Sequence, residues 1–293
     1  MRSGMNSFAG LTLLCFCLTG LPTAAHAGSI YLTGHDVLLH DGQSGYDNLI
    51  VDWLRSAGTG SEIAATNYSI SVVGSGVGSW GWTDVAGFND RGAKPGFEST
   101  TYYDTDDLIG GTALWSDVLS ADLLVILSHL SCGGCDLDTN GSNEINAHAA
   151  EITTAFNAGL DIWGISGGTL ATFYDFLPPG AVASGLPISG SAGFTATAAG
   201  VGIGIMPSMI NGFPTHNRFV GFDSAFTVFE TRDTEVISIG VRDARIGDGG
   251  IIPGEPTLVP EPGTFLLLGS GLAVAALYRR RGKALATRVR SER

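Results

Sequence analysis

The chain has 293 residues, with 15 Lys and Arg against 28 Asp and Glu, and 43 of its residues are glycine. The basic residues are concentrated at the two ends, so the stretch 28–258 holds only seven of them beside 26 acidic residues, a net charge of about −19. A body this acidic argues against nucleic acid or an anionic membrane surface as a partner. It is compatible with divalent cations, although a solvated acidic surface is the simpler explanation.

The amino terminus has the order of a secretory signal peptide. Arg2 precedes an apolar run over 8–21, and the small-x-small site Ala25-His26-Ala27 follows that run. This order predicts a signal peptide over 1–27 that is cleaved before Gly28.

Two cysteines, Cys132 and Cys135, remain after this cleavage, in the sequence Ser-Cys-Gly-Gly-Cys. Outside the cytoplasm such a pair is expected to form a disulfide that closes a small loop. A redox site is the alternative interpretation, but the acidic, turn-like sequence that follows would destabilise a thiolate.

The body alternates predicted strands and helices. Strands are predicted at 29–32, 68–73, 123–127 and 160–165, and helices at 46–57, 114–119, 145–158 and 169–177. The run 123–127 is apolar without interruption, which is typical of a strand buried on both faces of a parallel sheet, and 160–165 is predicted to be another buried strand. We therefore predict a doubly wound α/β domain over 28–242, with a mostly parallel sheet and helices on both faces.

Glycine-rich β additions are expected in the last third of this domain. Short strands are predicted at 202–205, 226–229 and 236–241, either finishing the sheet or forming an antiparallel edge. The stretch 243–258, rich in Gly and Pro, is interpreted as a linker to the tail.

Polar pairs follow three of the predicted strands, namely His35-Asp36, Ser128-His129 and Ser166-Gly167. In doubly wound sheets, ligands bind at the carboxyl ends of the strands, so these pairs mark the candidate site. The motifs that surround them are Tyr31-Leu32-Thr33-Gly34-His35-Asp36, the run 123–129, and Ala155-Phe156-Asn157-Ala158-Gly159 leading to Gly164-Ile165-Ser166-Gly167-Gly168.

Through these motifs the stretch 29–185 resembles the class I glutamine amidotransferase-like (flavodoxin-like) superfamily. The resemblance implies the same α/β fold and a cysteine at the elbow after the strand, where this chain has Ser166. The family also has a later His-x-Glu pair, whereas here His216 is followed by Asn217 and Arg218. Both departures argue against glutamine hydrolysis.

Gly164-x-Ser166-x-Gly168 also has the spacing of a nucleophile elbow, in which glycines expose a serine hydroxyl above the sheet. A serine hydrolase would use Ser166 with His216 or His129 as its base. A tight glycine turn between two elements is the alternative interpretation.

A possible calcium site lies between the cysteines and the next helix. Oxygen ligands alternate there as in the first half of a calcium loop, at Asp136, Asp138, Asn140 and Glu144. The closing carboxylate of an EF-hand is missing because its position holds Ala147. An ordinary turn rich in Asp and Asn explains the pattern equally well.

The tail, 259–293, has three elements in a fixed order. Pro260-Glu261-Pro262 is followed by an uncharged apolar run over 265–277 and then by basic residues that begin at 279. The run is long enough to cross most of a bilayer as a transmembrane helix, and the basic cluster would hold its end on the cytoplasmic side.

This order resembles the PEP-CTERM sorting tail. The resemblance implies an exosortase as partner and a Gram-negative envelope as destination, commonly in bacteria that make exopolysaccharide. The precursor would be anchored in the inner membrane, and the processed body would reach the outer envelope or the medium. The sequence therefore predicts a non-catalytic protein acting at the cell surface or in the exopolysaccharide matrix, with the Ser166 hydrolase as the alternative.

Overall fold

The computed structural model describes residues 28–36, 45–56, 68–75, 97–129, 137–212 and 214–253. All of them lie in the first of two compact units, Met1–Glu255. The predicted signal peptide and the whole predicted tail lie outside the described residues. Within the described ranges, no helix is both long and apolar enough to span a membrane.

The first half of the sheet is parallel. Its strands are β1 (Gly28–Thr33), β2 (Tyr68–Gly74), β3 (Phe97–Asp104), β4 (Leu123–Ile126) and β5 (Asp161–Gly164). They lie in the order β3-β2-β4-β5-β1, and every neighbouring pair is parallel. All four residues of β4 and of β5 are buried, as predicted for these two strands.

The second half is antiparallel. Its strands are β6 (Val182–Pro187), β7 (Thr195–Ala196), β8 (Asn217–Phe222), β9 (Thr227–Arg232), β10 (Glu235–Gly247) and β11 (Gly250–Pro253). β10 pairs antiparallel with β1, β8, β9 and β11, so it joins the two halves. The described sheet has eleven strands and is mixed, because the later strands form an antiparallel half rather than an edge of a mostly parallel sheet.

Helices cover both faces of this sheet, as predicted. They are α1 (Tyr46–Arg55), α2 (Thr105–Gly110), α3 (Trp115–Val118), α4 (Thr139–Ala147), α5 (Ala149–Asn157), α6 (Ala198–Ile203) and α7 (Pro207–Ile210). Side chains alternate along β1, so Ile30 and Leu32 join a buried cluster that includes α4 and α5. Tyr31 faces the other way and joins a second cluster that includes α1 and α7.

The helix predicted over 169–177 is wrong. The segment is a series of short turns, in which Leu170 N, Phe173 N and Leu177 N each donate to the carbonyl three residues earlier. The apolar spacing that predicted a helix instead buries Phe173, Tyr174, Phe176 and Leu177 from these turns.

Two predictions for the last third are also wrong. The strand predicted at 202–205 is the end of α6 and the residues after it, and α6 is capped by Thr197, whose hydroxyl accepts from Gly200 N. The first part of the predicted linker continues the sheet, because β10 extends to Gly247 and β11 pairs back onto it. Ala244, Ile246 and Ile251 are buried there, so residues 243–253 belong to the body.

Candidate functional site

The carboxyl ends of β4, β5 and β1 lie side by side, because these strands are neighbours in the parallel half. A fourth segment, 214–217, runs antiparallel beside the residues that follow β1. Asp36 N donates to Pro214 O at 3.0 Å, and His216 N donates to Gly34 O at 2.9 Å. A side chain at Gly34 would collide with the Asn217 carbonyl oxygen, so glycine permits this close approach. The polar residues of four segments therefore meet at one edge.

Ser166 is fully buried at this edge. Its hydroxyl donates to Asn217 Oδ1 at 2.8 Å and accepts from Gly168 N at 3.2 Å. Gly167 N and the Tyr174 hydroxyl donate to the same Asn217 oxygen, at 2.9 and 3.3 Å. An amide oxygen does not take up a proton at neutral pH, so this arrangement fixes the turn without activating the serine.

The two histidines predicted as bases have other partners. His216 Nε2 lies 3.7 Å from Asp36 Oδ2, and Ser128 donates to the other oxygen of Asp36 at 2.9 Å. His129 Nε2 lies 3.2 Å from the Thr139 hydroxyl. Burial lowers the pKa of His129, although the nearby Asp138 carboxylate opposes this shift. The structure thus brings Ser166, His129 and His216 to one edge and places Asn217 at the Ser166 hydroxyl.

Two of the predicted calcium ligands, Asn140 and Glu144, lie on α4. Asp138 precedes α4 and accepts from Gly141 N at 2.7 Å, while Asn140 lies in its first turn. Glu144 lies further along α4 and accepts from Trp115 Nε1 at 2.9 Å. Asp136, like Cys132 and Cys135, lies outside the described residues. Within the part of the chain that is described, no group of three or more His, Cys, Asp or Glu could hold a metal ion.

A buried polar cluster, not anticipated from the sequence, lies on the face of β1 that carries Tyr31. His35 Nε2 contacts Glu230 Oε2 at 2.7 Å, and its Nδ1 lies 2.8 Å from the Thr215 hydroxyl. The hydroxyls of Tyr31 and Tyr46 donate to the other oxygen of Glu230 at 2.9 and 2.5 Å. His35, Glu230 and both tyrosines have no exposed surface. The cluster therefore ties β1 and α1 to β9 through a carboxylate without contact to water.

The ionisation of this cluster follows from its partners. Burial raises the pKa of both Tyr31 and Tyr46, and the charge of Glu230 raises it further. Burial alone would also raise the pKa of Glu230, but the charge of His35 and the hydrogen bonds from His35, Tyr46 and Tyr31 outweigh it. The pKa of Glu230 therefore lies below its usual value, and the carboxylate is ionised.

Only His35 of this cluster carried a signal in the sequence, since it follows a predicted strand. Glu230 lies inside β9 at a position where local sequence shows no reason for a buried acid.

The tail supplies the match to a known family. Residues 258–281 match the PEP-CTERM protein-sorting motif, which covers Pro260-Glu261-Pro262, the apolar run and the first basic residues. The prediction of a PEP-CTERM sorting motif is confirmed. Searches of curated proteins and of solved structures found no match to the chain, so they give no support to the amidotransferase-like resemblance of the body. The chain thus carries the PEP-CTERM sorting motif of an exported protein that an exosortase sorts in the envelope of a Gram-negative bacterium.

Proposed function

We propose that this chain is a non-catalytic envelope protein whose amidotransferase-like α/β body acts at the cell surface or in an exopolysaccharide matrix. The sorting tail delivers the body, and the signal peptide starts its export. Before exosortase processing, the helix of the tail anchors the precursor in the inner membrane.

The hydrogen bond from Ser166 to Asn217 carries the non-catalytic part of this proposal. A serine nucleophile needs a base that accepts its proton and a hydroxyl that a substrate can reach. Ser166 is buried and donates to an amide oxygen instead. The elbow is therefore a rigid connection between β5 and the turns that follow it.

Labelling with a fluorophosphonate, which reacts with activated serines, tests this point. We expect the folded wild-type chain and its Ser166→Ala variant to give the same background signal. Labelling of wild type that Ser166→Ala abolishes would establish the serine hydrolase and overturn the proposal. Asn217→His is a useful third variant, because it places an imidazole at the position that contacts Ser166.

The intact mass of the protein recovered from the envelope and medium of its host tests the sorting. We expect a mass that lacks the signal peptide and the residues after about the Pro-Glu-Pro motif. A mass that retains the basic cluster at 279–293 would mean that the tail serves only as an anchor.

A further inference from the structure

The amino end of β1 lies at the edge of the sheet opposite the candidate functional site. β1 is buried from its first residue, Gly28. A side chain at Gly28 would collide with the Leu160 carbonyl oxygen and the Phe156 ring. The first residue after the predicted signal peptide is therefore enclosed by the fold.

An acid lies beside this enclosed end. Asp161, the first residue of β5, is 6% exposed. Its Oδ1 accepts from Ser29 N at 2.7 Å, and its Oδ2 accepts from the Tyr68 hydroxyl at 2.7 Å. Both donors are neutral groups, so they stabilise the carboxylate without balancing its charge.

The pKa of Asp161 reflects these surroundings. Burial raises its pKa to about 7, against the opposing hydrogen bonds from Tyr68 and Ser29. Asp243 on β10 raises the pKa further. Arg242, the neighbouring cation on β10, acts on Asp161 from a distance, but its guanidinium contacts the Trp53 carbonyl and the Ser56 hydroxyl. A further positive charge near Asp161 would therefore stabilise its carboxylate.

We propose that Asp161 is the binding site for the α-ammonium group that signal-peptide cleavage creates on Gly28. This rests on the proposed function in one respect, which is cleavage between Ala27 and Gly28. Successive residues of an extended chain are about 3.5 Å apart, so the Gly28 nitrogen lies within about 6 Å of Asp161 Oδ1. Opposite charges within about 4–6 Å favour the charged form of each other.

Processing then changes the stability of the body. In the precursor the Gly28 nitrogen is a neutral amide, and in the processed chain it carries a positive charge beside a buried carboxylate. A folded pKa near 7 against an ordinary value of 3.8 means that stability falls as pH rises from about 4 to 7, because the unfolded chain releases its proton first. The ammonium lowers the folded pKa of Asp161 and removes part of this loss. Above about pH 8 the amine of the unfolded chain loses its proton, and the effect then fades as pH rises through the raised pKa of the folded ammonium.

Three forms of the chain through Arg293, kept in detergent, test the proposal. One begins at Gly28 after cleavage of a fusion that leaves no extra residue, one begins at Ala27, and one begins at N-acetylated Gly28. Each is also made with Asp161→Asn. At pH 7 we expect the form with a free Gly28 amine to melt about 2–4 °C above the other two, and the Asp161→Asn forms to melt together.

The pKa of Asp161, followed by carboxyl-carbon NMR, gives a second readout that does not depend on the variant folding. We expect it to be lower by about 1–3 units in the free-amine form. Equal melting temperatures and equal pKa values in the three wild-type forms would overturn the proposal.

Sequencing the amino terminus of the host protein separates this proposal from the proposed function. A first residue other than Gly28 overturns the ammonium site and leaves export and sorting unaffected. A retained tail, by contrast, contradicts the sorting and leaves the ammonium site unaffected.

Discussion

Glu230 is a carboxylate without exposed surface, and its oxygens accept from His35, Tyr31 and Tyr46. We expect Glu230→Gln to lower the free energy of unfolding by about 3–5 kcal/mol, because it leaves the buried His35 without its charged partner. Urea denaturation measures the effect. Glu235→Gln is the matched control, since Glu235 pairs with Arg232 and Arg218 at a partly exposed site and should cost about 1 kcal/mol or less. Equal losses in the two variants would contradict a special role for the buried pair.

The lowered pKa of Glu230 also predicts how the stability of the protein changes at acid pH. Because the folded pKa of Glu230 lies below its usual value of 4.5, its contribution is present at higher pH and is lost as pH falls through the folded pKa. We expect the difference in stability between wild type and Glu230→Gln to shrink below about pH 4.5. Asp161 titrates in both proteins, so subtracting the two unfolding curves at each pH isolates the glutamate. A difference that stays constant down to pH 3 would contradict this assignment.

At the level of single residues, the sequence predicts where the site lies but not which side chains contact each other there. Asp36, Ser128 and Ser166 could be predicted because each follows a buried strand, and such ends meet at one edge. The sequence could not predict that Asn217 rather than His216 contacts Ser166, since this contact depends on how the 214–217 segment pairs beside β1. Contacts between side chains that lie some fifty residues apart in the sequence are set by tertiary packing.

Among the elements, α4 is capped by Asp138, which the sequence also indicated as a calcium ligand. We expect Asp138→Ala to cost about 0.5–2 kcal/mol through loss of the bond to Gly141 N, with no change on adding EDTA. Asp138→Ser is the matched control, because serine caps a helix as well as aspartate but brings no charge for a cation. Thermal melts with calcium and with EDTA make the comparison. A melting temperature that EDTA lowers in wild type alone would favour the calcium site.

The elements that could be predicted were those with one dominant signal. β4 is an uninterrupted apolar run, β5 is apolar except for Asp161, and α1 has a single apolar stripe that faces the core. The turns over 169–177 bury aromatic side chains at a spacing that mimics a helix, so the pattern alone could not separate the two. The composition of residues 243–253 indicated a linker because glycine and proline are frequent there. In the structure, the end of β10 pairs with β11, and this pairing stabilises the segment as strand.

At the scale of the whole molecule, β11 is the last described strand, and the first compact unit extends to Glu255. We expect the chain 28–255 to unfold cooperatively in urea, and the chain 28–242 to fail to fold, because the shorter chain lacks the buried Ala244, Ile246 and Ile251. Circular dichroism and a urea titration of the two chains decide the matter. A cooperative transition in the chain 28–242 would restore the boundary that composition indicated.

The position of β10 has a consequence for when this protein can fold. β10 lies next to β1 in the middle of the sheet, where Ala244 pairs with Gly28. β1 can therefore pair with β10 only after more than two hundred further residues have been synthesised. Pairing at such a sequence separation is intrinsically slow. Until that strand emerges, the parallel and antiparallel halves have no shared strand to join them. We therefore expect the complete sheet to form only after β10 has been made, and an unfolded chain is the form in which a protein can be threaded across a membrane.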